Sequence, residues 1–500
     1  MYADGEPPTV GGMKDPAVEG KDGGLMAPQR RALTVGLVLT VTFVASEALA
    51  VVTVMPVVAR DLGGLRLYGW VFSGFMLGSV IGIVAAGREA DRRGPAVPFV
   101  AGVALFGSGL ALAGLAPSMG VLVAGRVLQG VGAGAAPSVA YAVIGRTLPG
   151  PLRARMMAVL STAWVAPGLA GPAISAEVAR LFGWRWVFLG LLPVVAVAAS
   201  IAVPALIRLG PPAASGGEEH RMIDGFRTAA GAALILAGLT LAAGSGGGNR
   251  LTAALGGLGL IAAGGALGLP ALRRLVPAGT LTARAGLPAT ILSRGLLTFT
   301  FFGADAYVTL ALTTVRHRTP VVAGIAVTGA TVAWTAGAWV QARLSESWEG
   351  RRLVRSGLIV ILAGIAGMVL VLQPDVPVAV GLAAWTVAGL GMGLAYAPIS
   401  LMMLQKAPPG QEGRVSASLN LADVLGDAIG IGAGGAAVAA AAGRDLGAGL
   451  VAAFGIAAVV GLAALAVTRR LPSGPSSAPP PAPPEGAQPD RAEITPRGSS

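Results

Sequence analysis

The 500-residue chain has no cysteine. That excludes disulfides, thiolate nucleophiles and cysteine metal sites. Histidine occurs only as His220 and His317, both in segments read as loops, which speaks against a histidine catalytic or metal cluster. Nothing resembles a P-loop or another ATPase signature, so any work the protein does would draw on an ion gradient. No cofactor and no metal are expected. Charged residues make up only 12% of the chain, against about 25% in a soluble domain. Most of the surface therefore faces lipid rather than water. Aromatic residues are also few, at 5%.

What the chain has instead is apolar and small. Hydrophobic residues reach 54%, Gly numbers 76, and the mean hydropathy is +0.73. Small residues let membrane helices pack closely. The net charge of +12 would suggest nucleic acid in a soluble protein. Here the basic residues sit in short loops between apolar runs and set topology, so nucleic acid is not an expected partner.

Residues 1–30 are polar and rich in Gly and Pro, and lack the ordered regions of a signal peptide. Residues 471–500 are rich in Pro and Ser. Both are expected to be disordered tails. Between them lie runs of roughly 20 apolar residues, enough to cross about 30 Å of hydrocarbon. They fall near 33–58, 68–87, 96–116, 119–145, 155–176, 186–207, 228–246, 252–271, 288–312, 320–342, 353–373, 377–404, 414–440 and 448–468. That makes about fourteen spans, of which the seventh and eighth are very Gly-rich.

With the N-terminus in the cytoplasm, the basic residues separate by side. The cytoplasmic set includes Arg30, Arg31, Arg88, Arg92, Arg93, Arg146, Arg153, Arg155, Arg351, Arg352 and Arg355. The opposite, smaller set is Arg60, Arg66, Arg180, Arg185, Arg250, Arg316, Arg318 and Arg444. This is the positive-inside pattern, with both termini cytoplasmic.

The two halves repeat. GVGAG at 130–134 matches GLGMG at 389–393, an offset of 259. The same offset aligns Arg155 with Arg414, Leu160 with Leu419, Ala163 with Ala422 and Gly171 with Gly430. TFVASEA at 42–48 matches TFFGADA at 300–306, an offset of 258. Parallel repeats of six helices imply two bundles, at 31–207 and 288–470, with a site between them near the midplane. The stretch 208–287 has no partner in the first half and adds two helices.

An ionisable group at mid-bilayer costs at least about 2.5–3.5 kcal/mol and asks for a reason. Glu47 lies mid-way along the first span and Asp305 along the ninth, at equivalent points of the repeat. Asp423 and Asp427 in the thirteenth are four apart and share a helix face. Two carboxylates so close in a low-dielectric site would hardly both ionise. Arg126 lies within the fourth span. These residues are expected to line a cavity that takes up protons, a cationic substrate, or both. The bland alternative is that internal hydrogen bonds or an arginine partner satisfy each carboxylate, with Arg126 in a structural ion pair. Arg294, near a helix start, reads as snorkelling to the interface.

Several motifs resemble the major facilitator superfamily. GREADRRG at 87–94, read as the loop after the second span, is similar to its G-x-x-x-D-R-x-G signature through Gly87, Asp91, Arg92 and Gly94. The usual basic residues beyond are replaced by Pro95 and Ala96. GRVLQGVGAG at 125–134 resembles the fourth-helix motif through Arg126, Gln129 and Gly130. APGLAGPAIS at 166–175 partly resembles the antiporter motif through Gly171 and Pro172. GWRWVF (183–188) and MPVVARDLG (55–63) look like the drug-efflux branch.

The resemblance implies an all-α polytopic membrane protein of the major facilitator fold: two six-helix bundles plus two extra central helices. It implies a monomeric secondary transporter rather than an enzyme, like the fourteen-helix drug:proton antiporters. Its partners would be protons, the lipid bilayer and a small amphipathic, cationic substrate. The Asp91 segment would form a charge latch and the Gly171–Pro172 segment a gate. Transport of a single endogenous metabolite and a non-transporting membrane sensor are the rival readings.

Overall fold

The computed structural model describes residues 24–148, 152, 155–156, 159–160, 162–210, 219–243, 250–345, 347–408 and 411–473. Most of both tails read as disordered, and the side chain of Asp91, lie outside the described residues.

The protein is all-α. In chain order the helices are α1 (Pro28–Leu62), α2 (Tyr68–Arg93), α3 (Ala96–Gly114), α4 (Met119–Thr147), α5 (Val165–Phe182), α6 (Arg185–Ile207), α7 (Glu219–Ala243) and α8 (Arg250–Leu275). They continue as α9 (Leu287–Leu310), α10 (Pro320–Leu344), α11 (Gly350–Leu370), α12 (Val378–Lys406), α13 (Glu412–Ala441) and α14 (Leu446–Val467). Thirteen of them, all but α5, hold an apolar stretch long enough to cross a membrane. The described part of α5 has 18 residues, and much of what precedes it lies outside the described residues.

Several helices run past the apolar runs that announced them. Hydropathy marks the lipid-facing stretch, whereas a helix continues until the backbone is broken. α1 starts five residues early, with Pro28 in its first turn, where the missing N–H costs nothing. It stops at Gly63, whose φ is +66°. α5 extends to Phe182 rather than 176 and stops at Gly183, φ +90°. GREADRR, read as a loop, is the last two turns of α2. An i,i+4 ion pair between Glu89 and Arg93 supports it, and Gly94, φ +86°, ends it. α6 is broken at Gly190–Leu191, where Pro193 follows and cannot donate a backbone hydrogen bond.

Close packing explains the glycines. A Cβ on Gly130 would sit 2.0 Å from the Phe75 carbonyl oxygen, and one on Gly389 would sit 2.1 Å from that of Ala330. The repeated Gly motif thus presses α4 onto α2 and, equivalently, α12 onto α10. The Gly-rich seventh and eighth runs form a hairpin held the same way. A Cβ on Gly231 would lie 2.6 Å from Gly268 Cα, and one on Gly238 would lie 2.5 Å from the Gly257 oxygen. Small residues there let two backbones touch, at the expense of hydropathy.

This hairpin straddles the seam between the two repeated halves. α7 buries Ala229, Ala232 and Leu236 against Leu77 and Val80 of α2 and Leu425 and Ala428 of α13. Trp70 of α2 donates to Thr240 at 3.1 Å, and Ser418 of α13 donates to the Leu275 carbonyl at 2.8 Å. The halves also meet directly near the α1–α2 link. Tyr68 donates to the Ala306 carbonyl at 3.2 Å, Ser73 to that of Ala428 at 2.8 Å, and Thr309 to that of Val52 at 2.8 Å.

Candidate functional site

The site grows from the four acids within the spans, Glu47 and Asp427 buried and Asp305 and Asp423 part-exposed, and from their partners. Glu47 on α1 is fully buried and forms an ion pair with Arg126 on α4, which is 2% exposed. Arg126 also donates to the Val71 carbonyl at 3.1 Å and to Gln129 Oε1 at 2.9 Å, and its guanidinium lies 4.2 Å from the centre of the Phe75 ring. Among the described residues, Glu47 Oε2 and Gln129 Nε2 have no hydrogen-bond partner. The fourth-helix motif is therefore one polar cluster: Arg126 and Gln129 are a turn apart, and Gly130 beside them brings α2 close enough to supply Val71 and Phe75.

The second half builds the same site with a different partner. Asp305 on α9 accepts a 2.8 Å hydrogen bond from the Trp385 indole on α12. Trp385 stands 259 residues after Arg126, at the repeat's own offset. The fold thus puts Trp where the first half has Arg. A neutral donor replaces a cation.

Asp423 and Asp427 do share a face of α13, pointing towards α9 and α12. Asp423 Oδ2 accepts from the Tyr396 hydroxyl at 2.9 Å, and its Oδ1 lies 3.5 Å from Arg294 Nε. Asp427 is 8% exposed and faces the Thr298 hydroxyl, and among the described residues its Oδ1 has no hydrogen-bond partner. Arg294 is not snorkelling. It is 3% exposed, donates to the Tyr396 carbonyl at 3.0 Å and to Ser400, and lies 3.5 Å over the Tyr396 ring. Seven residues into α9, it meets α12 and α13 before it could reach water, so its proximity to the helix start was misleading.

Aromatic rings join the two acidic sites. Trp385 stacks on Phe301 at 5.2 Å, Phe301 meets Trp334 edge-on at 5.7 Å, and Trp334 packs against Tyr396 at 5.5 Å. Phe302 completes the group against Phe301 and Trp334. The wall runs from Asp305 through Trp385, Phe301, Trp334 and Tyr396 to Asp423. Composition hid it, because a low aromatic total says nothing about concentration. The signal available was Trp385 at the repeat position of Arg126. A wall of rings beside carboxylates can bind an organic cation, since ring faces and carboxylates attract positive charge alike.

The remaining motif residues are dispersed. Gly87 and Arg92 lie in the last turns of α2, with Arg92 exposed and no atom within 4 Å of a Cβ built on Gly87. In α5, Pro172 touches Gly324 of α10, and Ser175 donates to the Gly171 carbonyl at 2.8 Å. The tight approach in α5 is at Gly168, where a Cβ would lie 2.3 Å from a Thr331 methyl. At Gly171 the nearest atom would be 3.9 Å away. The two segments read as efflux-like meet each other: Trp184 donates to Asp61 at 2.8 Å, and Arg185 pairs with Asp61 at 3.2 Å.

Membrane-length helices in two repeated halves, with Glu47 and Asp305 at matching repeat positions, define a polytopic transport protein. A family model described as the Major Facilitator Superfamily matches residues 35–431, and the chain belongs to that superfamily. It is thus a membrane transporter, not an enzyme. A Mycobacterium tuberculosis protein named "Probable multidrug-efflux transporter" is 29% identical over 444 residues, covering 85% of this chain and 91% of that one. A "Multidrug resistance protein B homolog" of the same organism is 30% identical over 440 residues, covering 83% and 78%. Solved structures share the fold. A POT family transporter in complex with 5-aminolevulinic acid matches with a TM-score of 0.63 at 12% identity, over 90% of this chain and 96% of that one. The xylose transporter XylE of E. coli, in a partially occluded inward open conformation, matches at 0.59 and 14%, over 88% and 98%.

Proposed function

We propose that the protein exports small amphipathic cations across a bacterial cell membrane in exchange for protons, by alternating access. The observation that carries this reading is the aromatic wall between Asp305 and Asp423. Its part-exposed rings, Phe302, Trp334 and Tyr396, backed by the buried Trp385 and Phe301, offer flat, polarisable surface to many organic cations, and its carboxylates accept either a proton or the cation's charge. The names of the relatives support efflux of several compounds rather than one.

Glu47, Asp305, Asp423, Asp427 and Arg126 line the site at which proton and substrate are exchanged. Residues 31–207 and 288–470 rock against each other as two bundles, with both termini in the cytoplasm and the 208–287 hairpin riding on the seam. Rocking breaks the Tyr68–Ala306, Ser73–Ala428 and Thr309–Val52 contacts and opens the extracytoplasmic end. The Asp91 segment latches the cytoplasmic end, and the Pro172 segment of α5 helps to gate. Proton and substrate compete, and each lowers the other's affinity to the same degree. The protein works as a monomer.

The test is uptake of ethidium into everted membrane vesicles with an imposed pH gradient. Uptake should follow the gradient. Uptake that persists undiminished after the gradient is collapsed would sink proton coupling.

A further inference from the structure

The four acids and two arginines that lie well inside the spans, away from the span ends, are not evenly shared. The first half contributes one acid, Glu47, and one base, Arg126. The second contributes three acids, Asp305, Asp423 and Asp427, and one base, Arg294. We infer that the second half alone exchanges positive charge, taking up two positive charges at Asp305 and the Asp423/Asp427 pair, while Glu47 and Arg126 stay ionised throughout the cycle. This deepens the antiport reading and rests on it.

The argument is about what each partner tolerates. A guanidinium cannot lose its proton in a protein. Arg126 is 2% exposed, and its other contacts, the Val71 carbonyl, Gln129 and the Phe75 ring, are all neutral. Protonating Glu47 would strand that buried cation without a counter-charge, so the pair is held ionised. Asp305 has no such constraint. The Trp385 indole N–H can donate to its oxygen whether the carboxyl is charged or protonated. The same holds for the Tyr396 hydroxyl on Asp423.

The groups facing these acids leave the excess uncompensated. Asp305 faces Trp385 from α12 and, within electrostatic reach, Tyr68 from α2, itself beside Tyr307 of α9. Asp427 is within reach of Asp423, Arg294 and Asp305, and Asp423 of Arg294 and Tyr396. Arg294 is the single cation among them and balances one carboxylate. Asp427 is buried, so its charge must be paired or neutralised, while the part-exposed Asp305 and Asp423 are open to an exchanging charge. The unpartnered Asp427 Oδ1, in a residue 8% exposed, marks where one of the two charges enters. The aromatic wall, which belongs to the same half, provides the apolar part of the site.

The experiment is calorimetry of tetraphenylphosphonium binding to the purified full-length protein, in two buffers of different ionisation enthalpy. The difference gives the protons released per cation bound. The wild type should release protons. Asp305→Asn and Asp427→Asn should each reduce the release, the double variant should abolish it, and Asp427→Glu should retain it. The uncharged pair Glu47→Gln/Arg126→Gln should leave the number of protons unchanged, whatever it does to transport rate. Release that vanishes in Glu47→Gln/Arg126→Gln but survives in Asp305→Asn/Asp427→Asn would overturn the inference while leaving proton antiport standing. Binding to the wild type with no proton released would overturn the antiport reading and this inference with it. Each variant is first checked by gel filtration, so that loss of fold is not read as loss of a proton.

Discussion

Trp385 donates to Asp305 from the position at which the first half places Arg126 against Glu47. The two contacts span nearly the same stretch of chain, 80 and 79 residues. Duplicated backbones thus present a carboxylate to the same neighbouring helix. What differs is whether that helix returns a charge.

Arg126→Gln should strip the buried Glu47 of its counter-charge and destabilise the protein by about 3–5 kcal/mol. Glu47→Gln added to it should recover most of that loss, because no buried charge then remains. Thermal unfolding of the detergent-purified variants, followed by fluorescence, measures both. Equal instability of the single and double variants would count against the pair.

Trp385→Arg should turn the second-half site into a copy of the first. Asp305 would gain a permanent partner and stop exchanging. Ethidium uptake driven by a pH gradient should fall by an order of magnitude or more, about 1.4 kcal/mol or above on the coupled step. Trp385→Phe keeps the ring and should lose less.

Gly130→Val and Gly389→Val should fail alike. Each places side-chain atoms where a carbonyl oxygen already lies about 2 Å from the Cβ site. The backbones of α2 and α4, or of α10 and α12, would have to separate by a side-chain layer. The readout is the monodisperse fraction after extraction, and normal yield from either variant would contradict the packing.

Ser73→Cys with Ala428→Cys should allow the halves to be locked at the α1–α2 end. With no native cysteine, a bifunctional methanethiosulfonate can react only at the introduced pair. Cross-linking should stop ethidium uptake, and reductant should restore it. Uptake unchanged by complete cross-linking would mean that this contact does not open.

Much of the fold was legible because lipid imposes a simple rule on sequence. Spans had to be long and apolar, and thirteen of the helices can be read that way. Helix ends were less legible. Their limits were set by Gly63, Gly94 and Gly183, which act on the backbone rather than on hydropathy. GREADRR could be read as a loop because its charges signal water, yet a helix continues through water when nothing breaks it. The hairpin's weak hydropathy concealed a close glycine contact. Arg294 lies close to a helix start in sequence, yet two neighbouring helices cover it from water, which no local pattern states.

The sequence by itself determined that the chain lives in a membrane, that it is duplicated, and that Glu47 and Asp305 hold equivalent places. Those properties are carried by composition and by offsets along one chain. Only the tertiary structure decided which acid meets Arg126, which meets Trp385, and that scattered rings at 301, 334, 385 and 396 form one wall. Helix–helix contacts join residues tens of positions apart, and no local pattern states which face of one helix its neighbour covers. The partner of a buried charge, and with it the freedom of that charge to be exchanged, is fixed only when the helices pack.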